Sequence, residues 1–513
     1  MRQLHIHAIV VVCLVAGMAY AGAASPPPDW VSVRGGPGFS GYSPTKLAAY
    51  LKTAWTTLVA PGPPVTSGTK VFTCAQDFPV SGFGTISARY ANDGKSAWPV
   101  GSEDPVVFQL RSRQLAVETT SKGVGYLYVA AVDDLGEAEV QAYDQATGSR
   151  LWAVGSRFSG VLAVDPVDVS IPFPGFVAFS GLLISRVNCC GIYPFICCVY
   201  PDHSYRGYML VLNGEDGSYS SDFWIMPASN TRPVVFGSIA FNIRNQFYWP
   251  PAVCRNGTYC CSFPYEDWPI YQRFGLVTSK GVTTFSGLSG YRPDDATLSN
   301  SWDECRAEYR YGPGTDHGDI GLASTAHLLS LNGTQLSARD PASTNGAVAW
   351  TSPAPVTAGR DLVAAGNGII VAVNTATHQV LKIADSDGSL IASTLFNSSI
   401  VVTSNVTLTN DAFLFGDQQG YVHVYDLASL AERQRLRVAD GAVVGDVAVV
   451  GEEVYASGAD GSLTKLSGTG TGCGAISTGY AQNGSQRTGP GGVNTLSGNM
   501  VFTVQDVSIP FAC

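Results

Sequence analysis

A short strand, a turn rich in Gly, Asp or Asn, and a second strand recur along this chain at a fixed spacing. That feature constrains the fold more than any other. Phe413–Gly416, a tight turn over Asp417–Gly420 and a second run to Tyr425 form the clearest copy, and Val454–Leu466 repeats it. The last residues of the second strands, Ala384, Tyr425 and Leu466, stand 41 and 41 positions apart. A four-stranded antiparallel sheet with its turns consumes about 40 residues. No long segment carries a helical apolar period. Glycine, 57 of 513 residues, exceeds its usual share of about 7% and supplies the turns. With 45% hydrophobic and 14% charged residues, the chain is not of the disordered class. A net charge of −10 with only 30 Lys and Arg argues against a nucleic-acid partner, which wants clustered cations.

The stretch Ala142-Tyr143-Asp144-Gln145-Ala146-Thr147-Gly148-Ser149-Arg150-Leu151-Trp152 resembles the repeat A-x-D-x-x-T-G-x-x-x-W of the pyrroloquinoline-quinone-repeat β-propellers, the quinoprotein alcohol dehydrogenase-like superfamily. The resemblance implies that Asp144 to Gly148 turn a third strand into a fourth and that Trp152 stacks between neighbouring sheets. Gly supplies the positive φ of such a turn, and a buried indole covers much apolar area at a junction. A second copy keeps Ala338, Asp340, Gly346 and Trp350 with two residues inserted in the turn. A third, Asn213–Gly217 followed by Trp224, is degenerate, and Asp385–Gly388 keeps the turn without the Trp. The docking residues expected are therefore Asp144, Gly148, Trp152, Asp340, Gly346 and Trp350.

The fold expected is all-β: a seven- or eight-bladed propeller of four-stranded antiparallel sheets over 26–513. Its N- and C-terminal strands are expected to meet, because Ser67–Thr73 is echoed by Ser497–Thr503, and Asp168–Phe173 by 506–511. Such closure removes exposed sheet edges. The resemblance covers about 30–160 and 320–510. Residues 165–325 fit the period poorly and read as blades carrying long Cys-rich loops, the natural place for a binding surface on a rigid scaffold.

Residues 1–23 read as an export signal: Arg2, an apolar core of 11 residues from Ala8 to Met18, then small residues at Ala19–Ala23. Eleven residues are too few for a bilayer core needing about 20, and no later segment predicts a membrane span. After the signal 11 cysteines remain: Cys74, Cys189, Cys190, Cys197, Cys198, Cys254, Cys260, Cys261, Cys305, Cys473 and Cys513. In an exported chain these are disulfide candidates, with one thiol left over. Sequons at Asn256, Asn332, Asn397, Asn405 and Asn483 are glycosylation candidates in a eukaryotic host. A secreted or lumenal location follows.

The sequence favours a non-catalytic module that binds a protein, peptide or glycan, with no cofactor. The alternative implied by the resemblance is a dehydrogenase of an alcohol or sugar, dependent on pyrroloquinoline quinone and calcium. The adjacent pairs Cys189-Cys190, Cys197-Cys198 and Cys260-Cys261 point that way if they form the vicinal disulfide that lids the quinone in that family, but the plainer reading has each cysteine bonded to a different distant partner in a stapled loop. No flanking motif supplies the calcium ligands or the base: Glu266-Asp267-Trp268, Asp294-Asp295 and Asp303-Glu304 read as acidic loops. Asp316-His317-Gly318-Asp319 reads as a turn, and Asp385-Ser386-Asp387-Gly388 lacks the Glu that completes a calcium loop.

Overall fold

The computed structural model describes residues 29–468 except 37, 60, 75–85, 99–114, 121–122, 133–137, 156–160, 174–175, 186–203, 226–233, 237–238, 248–266, 278–281, 291–319, 333, 343–346 and 357–361. Among the described residues the strands form eight antiparallel sheets, seven of four strands and one of three. Sheet I holds Val65–Ser67, Lys70–Cys74 and Ile86–Tyr90. Sheet II holds Leu115–Thr119, Gly125–Val132, Ala138–Asp144 and Arg150–Gly155. Sheet III runs Val161–Phe173, Phe176–Ser185, Ser204–Asn213 and Tyr219–Ile225, and sheet IV runs Val234–Phe236, Ile239–Phe247, Asp267–Val277 and Val282–Gly290. Sheet V holds Ile320–Ala323, Leu328–Asn332, Gln335–Arg339 and Val348–Thr351. Sheet VI holds Val363–Gly366, Ile369–Asn374, Gln379–Ala384 and Leu390–Leu395. Sheet VII holds Thr407–Leu408, Ala412–Gly416, Tyr421–Asp426 and Glu432–Arg437. Sheet VIII combines Val443–Val450, Glu453–Gly458 and Ser462–Gly468 with the early strand Leu51–Leu58.

Burial explains this order. First strands of successive sheets lie against one another, and Val363–Gly366 is buried at every position. Second strands such as Ala412–Gly416 are likewise wholly buried, which is why they read as unbroken apolar runs. Last strands face outward: Leu390–Leu395 alternates exposed with half-buried residues. Apolar clusters fill the spaces between sheets, for example Leu322, Leu336, Trp350, Ile370 and Ile383 between V and VI.

The turn from third to fourth strand is built as its composition predicts. The Asp144 carboxylate accepts the backbone N–H groups of Ala146 and Thr147 at 2.7 and 2.9 Å, and the Gly148 N–H returns to Asp144 O at 2.8 Å. Gly148 takes φ +75°, a left-handed conformation that costs an L-residue about 1–2 kcal/mol. Asp340 caps its own turn by accepting Ala342 N–H at 2.8 Å, while Gly346 lies outside the described residues.

The indoles join sheets in a relay that the sequence copies do not display. Trp152 of sheet II donates its Nε1–H to Gly214 O of sheet III, at 3.1 Å, and lies on Gly217. The glycine of its own repeat, Gly148, instead receives Trp98 from sheet I, whose Nε1–H reaches Gln145 O at 3.1 Å. Trp350 of sheet V reaches Asp385 O at 2.8 Å, and Trp55 of sheet VIII reaches Ala91 O of sheet I at 3.1 Å. The acceptor is in each case the second residue of the next sheet's turn. A Cβ at Gly148 or Gly217 would sit 2.7 Å from the facing indole, so contact as well as φ demands glycine. In sheet III the register gives the corresponding place to Ser221, opposite Val211, and sets Trp224 opposite Tyr208.

At the VI–VII junction the two residue types are exchanged. Ala392 holds the indole's register place opposite Lys382, and the glycine place is taken by Leu430, at φ +57° and almost fully buried. The Lys382 ammonium donates to the usual carbonyl, Leu427 O, at 3.0 Å. Volume lost on one side of this interface is returned from the other.

Closure comes from an earlier strand than expected. Leu51–Leu58 pairs with Ser462–Gly468, whereas Ser67–Thr73 belongs to sheet I and its echo at 497–503 lies outside the described residues. Two four-stranded sheets occupy the region that fitted the period poorly. Their strands are as long as 13 residues, against 2–8 in sheets V to VIII, which hides the period. The cysteines at 189–198 and 254–261 fall between second and third strands, outside the described residues. Among the described residues Cys74 is a free thiol, fully buried against the core between sheets I and II, and burial pushes its pKa up to about 12. The other ten disulfide candidates, the export signal 1–23, Asn256 and Asn483 also lie outside the described residues. Among the described residues no helix is long and apolar enough to cross a membrane.

Candidate functional site

The axis on which the first strands converge is crossed by the chain's own N-terminal segment, residues 29–43. Trp30 exchanges hydrogen bonds with Thr66 of sheet I, its N–H to Thr66 Oγ1 at 2.8 Å and Thr66 N–H to its O at 2.9 Å. Val31 O accepts from Val117 of sheet II, Gly38 O from Ala323 of sheet V and Ser40 O from Ala365 of sheet VI, at 2.7–2.9 Å. Gly41 O accepts Leu408 N–H of sheet VII at 2.7 Å, and Ser43 N–H returns to Leu408 O at 2.9 Å. First strands from five sheets thus spend backbone groups on one segment. Its glycines permit the path: Gly41 has φ +65°, and a Cβ there would stand 2.7 Å from Val406 O.

At the centre of this crossing, Asp446 from the first strand of sheet VIII is fully buried. Its carboxylate accepts the Trp30 Nε1–H at 3.1 Å, the Arg34 backbone N–H and the Asn405 Nδ2–H. Burial raises its pKa against the opposing pull of those three donors and the Arg34 charge. Arg34 is itself 1% exposed and sits at φ +60° in a short 3-10 turn, Val33–Gly35. Its Nε donates to Phe39 O at 2.8 Å and its Nη2 to Val363 O. This is a structural polar knot, satisfied from within the chain.

A calcium-bound quinone on such an axis needs several free carboxylate or amide oxygens. Among the described residues no group of three or more His, Cys, Asp or Glu could hold a metal ion. The axial Asp446 and Asn405 are committed to each other and to the crossing segment. Asp385 accepts Ser324 Oγ–H at 2.9 Å and meets His327 Nδ1 at 3.0 Å, so the expected turn is confirmed as a structural corner. Asp267 and Trp268 begin a strand of sheet IV; Glu266 and the acidic pairs at 294–295 and 303–304 lie outside the described residues, as does 316–319.

His423 is the one described imidazole flanked by two carboxylates. Its Nδ1 meets Glu432 Oε1 at 2.8 Å and its Nε2 meets Asp417 Oδ2 at 3.0 Å, with the ring stacked on Phe415. Both nitrogens are engaged and the ring is 0% exposed, so it cannot pass a proton to a substrate. Burial pulls its pKa down, but the two carboxylates outweigh that and leave it raised. For Asp417 burial pulls the pKa up, and hydrogen bonds from His423, Tyr421 and Gln419 outweigh it, leaving it lowered. A raised His pKa adds stability that is complete below the unfolded value of about 6.5 and is lost as pH rises through the folded one. A lowered Asp pKa adds stability present above about 3.9 and lost as pH falls through the folded one. His423→Gln should therefore cost most in melting temperature between about pH 4 and 6.5, and progressively less above that window. A melting-temperature gap that stays constant to pH 9 would contradict this.

Asp144 and Asp340 cap their turns, Gly148 closes its turn, and Trp152 and Trp350 each donate to a carbonyl of the next sheet. Trp55 and Trp98 were missed, because their repeats lack the Asp-to-Gly spacing; an indole two residues past Ser96, whose bridge to Arg89 stands in for a fourth strand, was the available signal. The axial segment was missed too, since its partners lie far along the chain. Of the described sequons, Asn397 is exposed, Asn405 is tied to Asp446, and Asn332 ends a strand.

No family model matches the chain, and no curated protein matches it. Solved structures do. The quinohemoprotein alcohol dehydrogenase from Comamonas testosteroni is 12% identical, with a TM-score of 0.50 over 87% of this chain and 82% of that one. A europium-containing methanol dehydrogenase is 10% identical at a TM-score of 0.49, over 86% and 98% of the two chains. BamB from Moraxella catarrhalis is 12% identical at 0.44, over 83% and 100%. At such identities the first likeness speaks to fold alone. Together with the sheet order and the indole relay, it gives this chain the fold of the pyrroloquinoline-quinone-repeat β-propellers.

Proposed function

We propose that this chain is a non-catalytic β-propeller scaffold, exported to the lumen of the secretory pathway or beyond, that binds a protein, peptide or glycan. One observation carries the reading: residues 29–43 fill the axis and consume its polar groups, Asp446 and Asn405 among them. Recognition then falls to the loops that join the strands, as it does on other rigid scaffolds. The aromatic- and Cys-rich stretches between the second and third strands of sheets III and IV are our choice, on their composition.

Incubation of the purified protein with pyrroloquinoline quinone and calcium, followed by desalting, tests this. The expected result is no retained quinone absorbance and no dye reduction with primary alcohols or aldoses, alongside saturable binding on a glycan or peptide array. Retained quinone with alcohol-dependent dye reduction would replace the scaffold by the dehydrogenase.

A further inference from the structure

We infer that Asn397 carries an N-linked glycan whose place is to cover the open outer edge of sheet VI; the inference rests on the export proposed above. The edge strand Leu390–Leu395 pairs on one side only among the described residues, with Gln379–Ala384. Its sequence, Leu-Ile-Ala-Ser-Thr-Leu, contains no charge and no proline, the devices that usually protect such edges. Ile391 is 49% exposed and Leu395 73%, and Val401 beyond the following turn is 53% exposed. The sequon Asn397-Ser398-Ser399 lies in that turn, two residues past Leu395. Asn397 is exposed and its Oδ1 accepts Ser399 N–H at 3.0 Å, so the amide is held outward with its Nδ2 free of partners among the described residues.

Asn405 provides the contrast within one sheet of Asn397. Its Nδ2 is bonded to the buried Asp446, and the hydroxyl of its sequon, Thr407 Oγ1, donates to Val447 O at 2.6 Å. A sugar on that nitrogen would displace a contact of the axial knot. Transfer onto a growing chain precedes folding, so the selection acts on what can fold: chains with a sugar at Asn405 cannot seat residues 29–43, and those with one at Asn397 fold unhindered. In the transfer, Asn397 Nδ2 attacks C1 of an oligosaccharide carried on a lipid pyrophosphate. The N–C1 bond forms, the C1–O bond breaks, the lipid pyrophosphate leaves, and Nδ2 loses one proton to the transferring enzyme's base.

The test is secretion of the full chain from a glycosylating eukaryotic host, with peptide mapping before and after N-glycosidase treatment. Asn397 should be occupied and Asn405 bare, and Asn397→Gln should keep the melting temperature within a few degrees while shifting the protein to dimers and larger species in size-exclusion chromatography. Leu395→Lys in the Asn397→Gln background should return it to the wild-type elution. Secreted protein with a processed N-terminus but an unmodified Asn397, or with a sugar on Asn405, overturns the inference alone; so does an Asn397→Gln protein that elutes as wild type. Protein retained with residues 1–23 intact removes the export reading and this inference with it.

Discussion

Trp350→Ala will lower the unfolding free energy by about 3–5 kcal/mol, the range for removing a buried large aromatic. Adding Gly388→Leu will recover part of that loss. The first effect has two sources. The indole is 9% exposed in the core shared by sheets V and VI, and its Nε1–H is the partner of Asp385 O at 2.8 Å. Truncation leaves both a cavity and a carbonyl without its donor. The partial rescue is expected because the neighbouring junction already uses that exchange. Ala392 and Leu430 stand where an indole and a glycine stand elsewhere, and Leu430 adopts φ +57° natively. A leucine at Gly388, φ +73°, would pay a left-handed penalty of about 1–2 kcal/mol, so rescue must be incomplete. Denaturant titration of the wild type, Trp350→Ala, Gly388→Leu and the double variant measures the coupling. Additive losses, with the double variant the least stable, would show that indole and turn do not share one interface.

That exchange also marks how far sequence reading reached and where it stopped. The 41-residue period was legible because Ala384, Tyr425 and Leu466 sit in third strands of compact sheets. Asp144 and Asp340 were legible because turn chemistry is local: a carboxylate caps the N–H groups two and three residues on. The partner of each indole was not. Trp152 and Gly148 stand in one sequence copy, four positions apart, and belong to different interfaces, since a tryptophan reaches forward to the next sheet's glycine. Periodicity reports what repeats within a sheet, and the docking contact lies between sheets. The axial segment is harder still, because Trp30 and Asp446 are 416 positions apart and neither belongs to a repeat.

The largest single-site effect outside the relay should come from Asp446→Ala, at about 3–5 kcal/mol, as for breaking a buried charged contact from one side. Three donors lose their acceptor together: Trp30 Nε1, Arg34 N and Asn405 Nδ2. Arg34 keeps its carbonyl partners Phe39 O and Val363 O but loses the neighbouring negative charge in a buried setting. Asp387→Ala, in an exposed turn, is the control and should change stability by less than about 1 kcal/mol. Global destabilisation alone would not show that the lost contact holds the axial segment, so a local readout is needed. Arg34 is buried in the native protein, and trypsin should reach the Arg34–Gly35 bond only when residues 29–43 lift from the axis. In Asp446→Ala that bond should be cut early under native conditions, giving a fragment that begins at Gly35. Trp350→Ala, with equal global loss but an intact knot, should not favour that cut over others. The difference follows from chain order: the segment is synthesised first, yet its partners include a residue 416 positions later. It can dock only on a completed ring and should be the first part to leave. Asp446→Ala protein that melts like the wild type, or that keeps Arg34 protected, would mean the knot is incidental and the axis is held by the backbone bonds alone.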